Sequence, residues 1–150
     1  MDRSKDTTGL ALLLGGVALA AATALFLPVV HFRGANQALL GLSAWQAVPL
    51  MTLLKFALLG AAVAAAFLPR LQPLRVPITA AAIAMMFMPA LATLVAGVYP
   101  WSGVREMVVA LSGNRSPWVD PGWGIVALGV AALMLVGALV RGNRGTTAPA

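Results

Sequence analysis

The sequence has no cysteine, one histidine and four carboxylates among 150 residues. Disulfides, thiolate catalysis and Cys-based zinc or iron–sulfur sites are thereby excluded. A lone His31 cannot form the axial pair of a bis-histidine haem and would need a His/Met arrangement with Met51. A nucleophile–base–orienter set and a metal triad lack members in the same way, so no catalytic residue, metal or cofactor is expected. Charge is also scarce. Only 9% of residues are charged and 61% are hydrophobic, with a mean hydropathy of +0.92, whereas a soluble domain devotes about a quarter of its residues to charge. The net charge of +6 comes from basic residues scattered between apolar runs rather than gathered in a patch, which argues against nucleic acid as a partner.

What is present is four long apolar runs, about residues 10–30, 44–68, 76–99 and 123–140. Each is long enough to cross a hydrocarbon core of roughly 30 Å at about 1.5 Å per helical residue. The fold class expected is an all-α integral membrane protein, a single domain forming an antiparallel bundle of four transmembrane helices. The first run also has the small-residue spacing of a signal-peptide cleavage site at Ala18–Ala20 and Ala22–Ala24, but it exceeds the usual apolar length of such peptides and is expected to be a retained helix. Residues 69–75, proline-stiffened by Pro69 and Pro73, make a tight connection between the second and third helices. Pro77 suits a first helical turn. Pro89 falls within the third run and predicts a kink there.

Orientation follows from the basic residues. Arg3, Lys5, Arg70, Arg75, Arg141 and Arg144 fall on one side, against Arg33, Arg105 and Arg115 on the other. The positive-inside rule then puts both termini in the cytoplasm, and the basic helix ends suit a bacterial inner membrane. Helix contacts in lipid depend on close backbone approach. Gly16, Ala20 and Ala24, Gly60 and Ala64, and Ala80 and Ala84 offer it at four-residue spacing. The tail from residue 142 to 150 is polar and is expected to be disordered.

Lys55 is the one basic residue inside a run. An intramembrane lysine costs on the order of 2.5–3.5 kcal/mol on insertion scales and marks a partner, a cavity or a neighbouring subunit. Snorkelling is the ordinary alternative, since the residue lies about two turns beyond Pro49. The candidate charge partners within the chain are Glu106 and Asp120, because Asp2 and Asp6 belong to the opposite side.

The aromatic residues are one-sided. His31, Trp45, Tyr99, Trp101, Trp118 and Trp123 all fall on the predicted outer face and are candidates for contact there, although anchoring at the membrane interface is the plainer role for each ring. Residues 100–121 carry a further signal. Ser102 can cap a short helix that stops at Gly113–Asn114, and Val104, Met107, Val108 and Leu111 recur at helical spacing. An amphipathic interfacial helix in the outer loop between the third and fourth spans is expected. Met85, Met86 and Met88 could offer soft thioethers to copper but read more simply as packing beside the kink.

These features favour a non-catalytic accessory or assembly subunit that meets other membrane subunits through its helices and tryptophan-rich outer loops. The alternative is a small oligomeric transporter or channel for an anion or lipophilic molecule with Lys55 in the pathway. A proton-coupled cation exporter is disfavoured, because no span contains a carboxylate.

Overall fold

The computed structural model of the chain describes residues 3–34, 38–98, 103–113 and 118–143, with the backbone alone at 3–6, 96–98 and 143. In chain order the elements are α1 (Arg3–Phe26), β1 (Pro28–Arg33), β2 (Leu39–Ser43), α2 (Ala44–Ala47), α3 (Pro49–Phe67), a 3₁₀ turn (Pro69–Leu74), α4 (Arg75–Met86), α5 (Met88–Val98), α6 (Gly103–Ser112), β3 (Val119–Pro121) and α7 (Trp123–Asn143). Four helical stretches, Thr7–Phe26, Pro49–Phe67, Pro69–Val95 and Trp123–Gly142, have the length and hydropathy needed to cross a membrane.

The expectation of an all-α fold needs correcting. A three-stranded sheet of order β2-β1-β3 sits where the connections after α1 and before α7 meet. Its origin is local. Pro28 disfavours a helical Leu27 and cannot extend the helix, so α1 ends at Phe26 instead of running to residue 30. The β-branched and aromatic residues Val29, Val30 and Phe32 then suit a strand. β1 pairs antiparallel with β2, with Val30 opposite Leu42, and a bulge follows Pro28. The extra residue lets Val29 and Val30 both be buried although they are consecutive. On its other edge β1 pairs with β3, placing Asp120 opposite His31.

The second run is also divided. Ser43 and Gln46 form a reciprocal capping box that starts the short α2, and Pro49 opens α3. The Pro89 kink is found as a break, with α4 closing at Phe87 and α5 beginning at Met88. The helix expected after the third span is α6. It ends at Gly113, whose φ of 67° is the left-handed conformation that closes helices and suits glycine. Val104 and Val108 are buried and Met107 is half-buried, but Leu111 is exposed and Ser112 takes its place on the inward face. Ser102 lies outside the described residues, as does the tail from 144; Gly142 belongs to α7.

The helices distribute size in the reverse of a soluble protein. Many buried positions are small, Ala20, Ala24, Ala62, Ala65, Ala82, Ala131 and Ala138 among them, beside a few leucines such as Leu59, Leu128 and Leu135. Large apolar chains such as Leu53, Leu94, Val126 and Leu133 point outward. Only 28–33% of each long apolar stretch is buried, so most of its hydrophobic surface has no partner within the chain. Among the spacings of small residues, Gly16–Ala20–Ala24 does pack. A Cβ at Gly16 would lie 3.1 Å from Leu135 Cδ2 and 3.2 Å from the Ala131 carbonyl oxygen of α7. Gly60 instead has nothing within 4 Å of its missing Cβ, and Ala80 and Ala84 are exposed; these positions do not draw helices of this chain together.

Candidate functional site

The inward stripe of α3 is Thr52, Lys55, Leu59, Ala62 and Ala65, the three- and four-residue steps that keep side chains on one helix face. Lys55 therefore points into the bundle. It is 1% exposed and its Nζ has no hydrogen-bond partner among the described residues. Leu59, one turn further along the stripe, is also buried. Enclosure of a hydrogen-bonding head that water cannot reach costs about 1–3 kcal/mol, more if it is charged.

The other polar groups of the interior are mostly satisfied by backbone. Thr52 Oγ1 donates to the carbonyls of Ala44 (2.9 Å) and Val48 (3.0 Å). Thr79 Oγ1 donates to the Arg75 carbonyl and Thr93 Oγ1 to the Pro89 carbonyl, both at 2.8 Å. The bonds to Val48, Arg75 and Pro89 reach carbonyls one turn back, while the bond to Ala44 ties α3 to α2. Thr23 is the exception: it is fully buried in α1, and its Oγ1 also has no partner among the described residues. Thr23 lies three residues before the end of α1 and Lys55 six after the start of α3. At about 1.5 Å per residue both are in the part of the bundle nearest the sheet. An unspent hydroxyl and an unspent amine thus occur at the same end of the interior.

Neither candidate carboxylate is brought to Lys55. Glu106 is exposed in the first turn of α6, where a negative charge is favoured by the helix dipole. Asp120 is exposed in β3, across from His31. His31 is half-buried between two strands. Its ring lies above Gly41, where an added Cβ would come within 3.2 Å of the imidazole Cδ2. No three His, Asp or Glu side chains gather into a metal site among the described residues. The methionines divide, Met86 being buried in the core and Met88 exposed.

Above this interior the sheet forms a cap with a buried and an exposed side. Val29, Val30, Phe32 and Leu42 are buried beneath it, joined by Val104 and Val108 of α6. Leu39, Leu40, Trp45, Trp118 and Trp123 are exposed at the same end. Tyr99 and Trp101 lie outside the described residues. Among the described residues the edge strand β2 has no neighbour on its far side, leaving backbone groups available to another chain. An apolar cavity of about 250 Å³ lies below α6, between Val48, Met51, Met88, Leu91, Val95 and Val104. Lys55 does not line it.

Sequence reasoning did not anticipate the sheet or the platform it builds, nor Thr23. The signals available were Pro28 followed by β-branched and aromatic residues, and the Ser43-x-x-Gln46 capping pattern. No known protein family, curated protein or solved structure matches this chain.

Proposed function

We propose that the chain is a multi-pass membrane protein whose four long helices form an antiparallel bundle, with both termini cytoplasmic in a bacterial inner membrane. Its role is that of a non-catalytic accessory or assembly subunit of a larger membrane complex. The observation that carries this reading is the cap. Two loops far apart in sequence are tied into one small sheet, and Leu39, Leu40, Trp45 and Trp118 are exposed on and beside it. Exposed apolar side chains at a defined edge are what a docking surface supplies, and a β-strand edge adds backbone pairing. The outward leucines and valines of the helices serve lipid on some faces and neighbouring subunits on others.

A second reading keeps the transporter alternative, on the single ground that the Lys55 amine is enclosed without a partner among the described residues. An anion or a carbonyl of a lipophilic molecule entering the bundle would meet that amine.

Mild-detergent extraction followed by native mass measurement separates the two. A subunit co-purifies at fixed stoichiometry with other membrane proteins, and the association is lost in Leu39→Asp/Leu40→Asp without loss of the folded chain. Migration as a homo-oligomer, with ligand-dependent changes abolished by Lys55→Met, would reverse the assignment.

A further inference from the structure

At the end of the bundle away from the sheet, the start of α1, the close of α3, the 3₁₀ turn, the first residue of α4 and the last turn of α7 enclose a cleft of about 360 Å³. That is a size at which small ligand groups are held. Its lining combines apolar Leu10, Leu13 and Phe67 with polar Gln72, Arg75 and Arg141. Arg75 and Arg141 are far apart in sequence, and the fold alone makes them line one cleft. Arg75 is half-buried and spends one long bond, Nη2 to the Ala138 carbonyl at 3.5 Å. Among the described residues most of its N–H donors have no acceptor. No described carboxylate lines the cleft; Asp6, one turn before Gly9, is the nearest in sequence, and its side chain lies outside the described residues. Gly142 completes the wall. A Cβ there would lie 2.7 Å from Arg75 Nη1 and 2.8 Å from Nη2, so the glycine leaves room for the Arg75 head.

We propose that this cleft binds a phosphate group, held by Arg75 and Arg141 with Gln72 as a further donor. The planar fork of arginine matches phosphate oxygens with paired hydrogen bonds. The apolar part of the lining, continuous with long apolar helices, favours the headgroup of an anionic phospholipid whose acyl chain lies along Leu10, Leu13 and Phe67, and basic pockets between helix ends are a known form of such sites. The lipid source rests on the membrane reading above but not on the subunit role.

The test uses the full chain purified in a neutral detergent. Native mass spectrometry reads retention of phosphatidylglycerol against phosphatidylcholine, with and without inorganic phosphate as competitor. Arg75→Ala and Arg141→Ala each lower phosphatidylglycerol retention by roughly fivefold. Arg70→Ala, which removes the same charge from the same turn outside the cleft, leaves it unchanged. Gly142→Val lowers retention severalfold at constant charge, and it gives the site a test of its own should Arg75→Ala unfold the chain. Displacement of the lipid by millimolar inorganic phosphate would keep the phosphate site and assign its source to solution, whereas no displacement assigns it to the headgroup. Equal losses in Arg70→Ala and Arg75→Ala, or full retention in Gly142→Val and Arg141→Ala, would overturn the proposal, since attraction would then depend on net charge and not on this cleft.

Discussion

The two ends of the bundle connect their helices in different ways. At one end the connections are long, and they hydrogen-bond to each other as β2-β1-β3. At the other, α3 and α4 are joined by six residues of 3₁₀ turn, and the cleft beside it is lined by arginine side chains rather than by paired backbone. The sheet end is therefore rigid through the main chain and sensitive to volume, while the loop end is tolerant in its backbone and depends on charge. Interaction through a shaped apolar surface suits the first, and binding of a small anion suits the second.

The largest expected effect comes from breaking the sheet end at Gly122. A Cβ there would collide with the Pro28 carbonyl oxygen, and the Gly122 N–H donates to the Val29 carbonyl at 2.9 Å. Because the obstacle is backbone, Gly122→Val should cost at least about 3 kcal/mol, the upper end of overpacking penalties, read as a large fall in the detergent-solubilised melting temperature. An unchanged melting temperature would mean that the close approach is absent. Gly16→Leu, against Leu135 and Ala131, should cost about 1–3 kcal/mol by the same assay, because part of the obstruction is a side chain able to yield. Lys55→Met should leave the chain as stable as the parent or up to about 2 kcal/mol more so, since it removes an unpartnered buried head, while any partner- or ligand-dependent behaviour is lost. A clear destabilisation would show that the amine has a partner. Smallest are the loop-end changes: Arg70→Ala and Arg141→Ala should shift stability by no more than about 0.5 kcal/mol, despite their different effects on phosphate retention.

The four long helices could be read from the sequence because a segment in lipid must be apolar along its whole length, which leaves a composition signal independent of tertiary contacts. The break before Pro89 and the end of α6 at Gly113 were legible too, resting on proline and glycine geometry that acts locally, and α6 itself showed in the helical spacing of its apolar residues. The sheet was hidden for two reasons. Val29 and Val30 extend an apolar run without a visible change of period, because the bulge breaks the alternation that would mark a strand. β3 has three residues and exists only through its pairing with β1, a contact between positions about 90 apart that no local pattern encodes. That Arg75 and Arg141 line one cleft is non-local in the same sense. For Lys55, the inward direction follows from its spacing with Thr52 and Leu59, but the absence of a carboxylate beside it could be seen only once Glu106 and Asp120 had been placed elsewhere.

The contrast between the ends presumes that a membrane lies between them, and the cysteine-free sequence makes this directly measurable. Single cysteines at Asn36, between β1 and β2, and at Gln72, in the 3₁₀ turn, can be probed in intact cells with a membrane-impermeant maleimide. The account predicts labelling of Asn36→Cys alone, with Gln72→Cys reacting only after the membrane is opened. Labelling of Gln72→Cys alone would invert the orientation, and equal labelling of both in intact cells would contradict a bundle that separates the sheet from the arginine cleft.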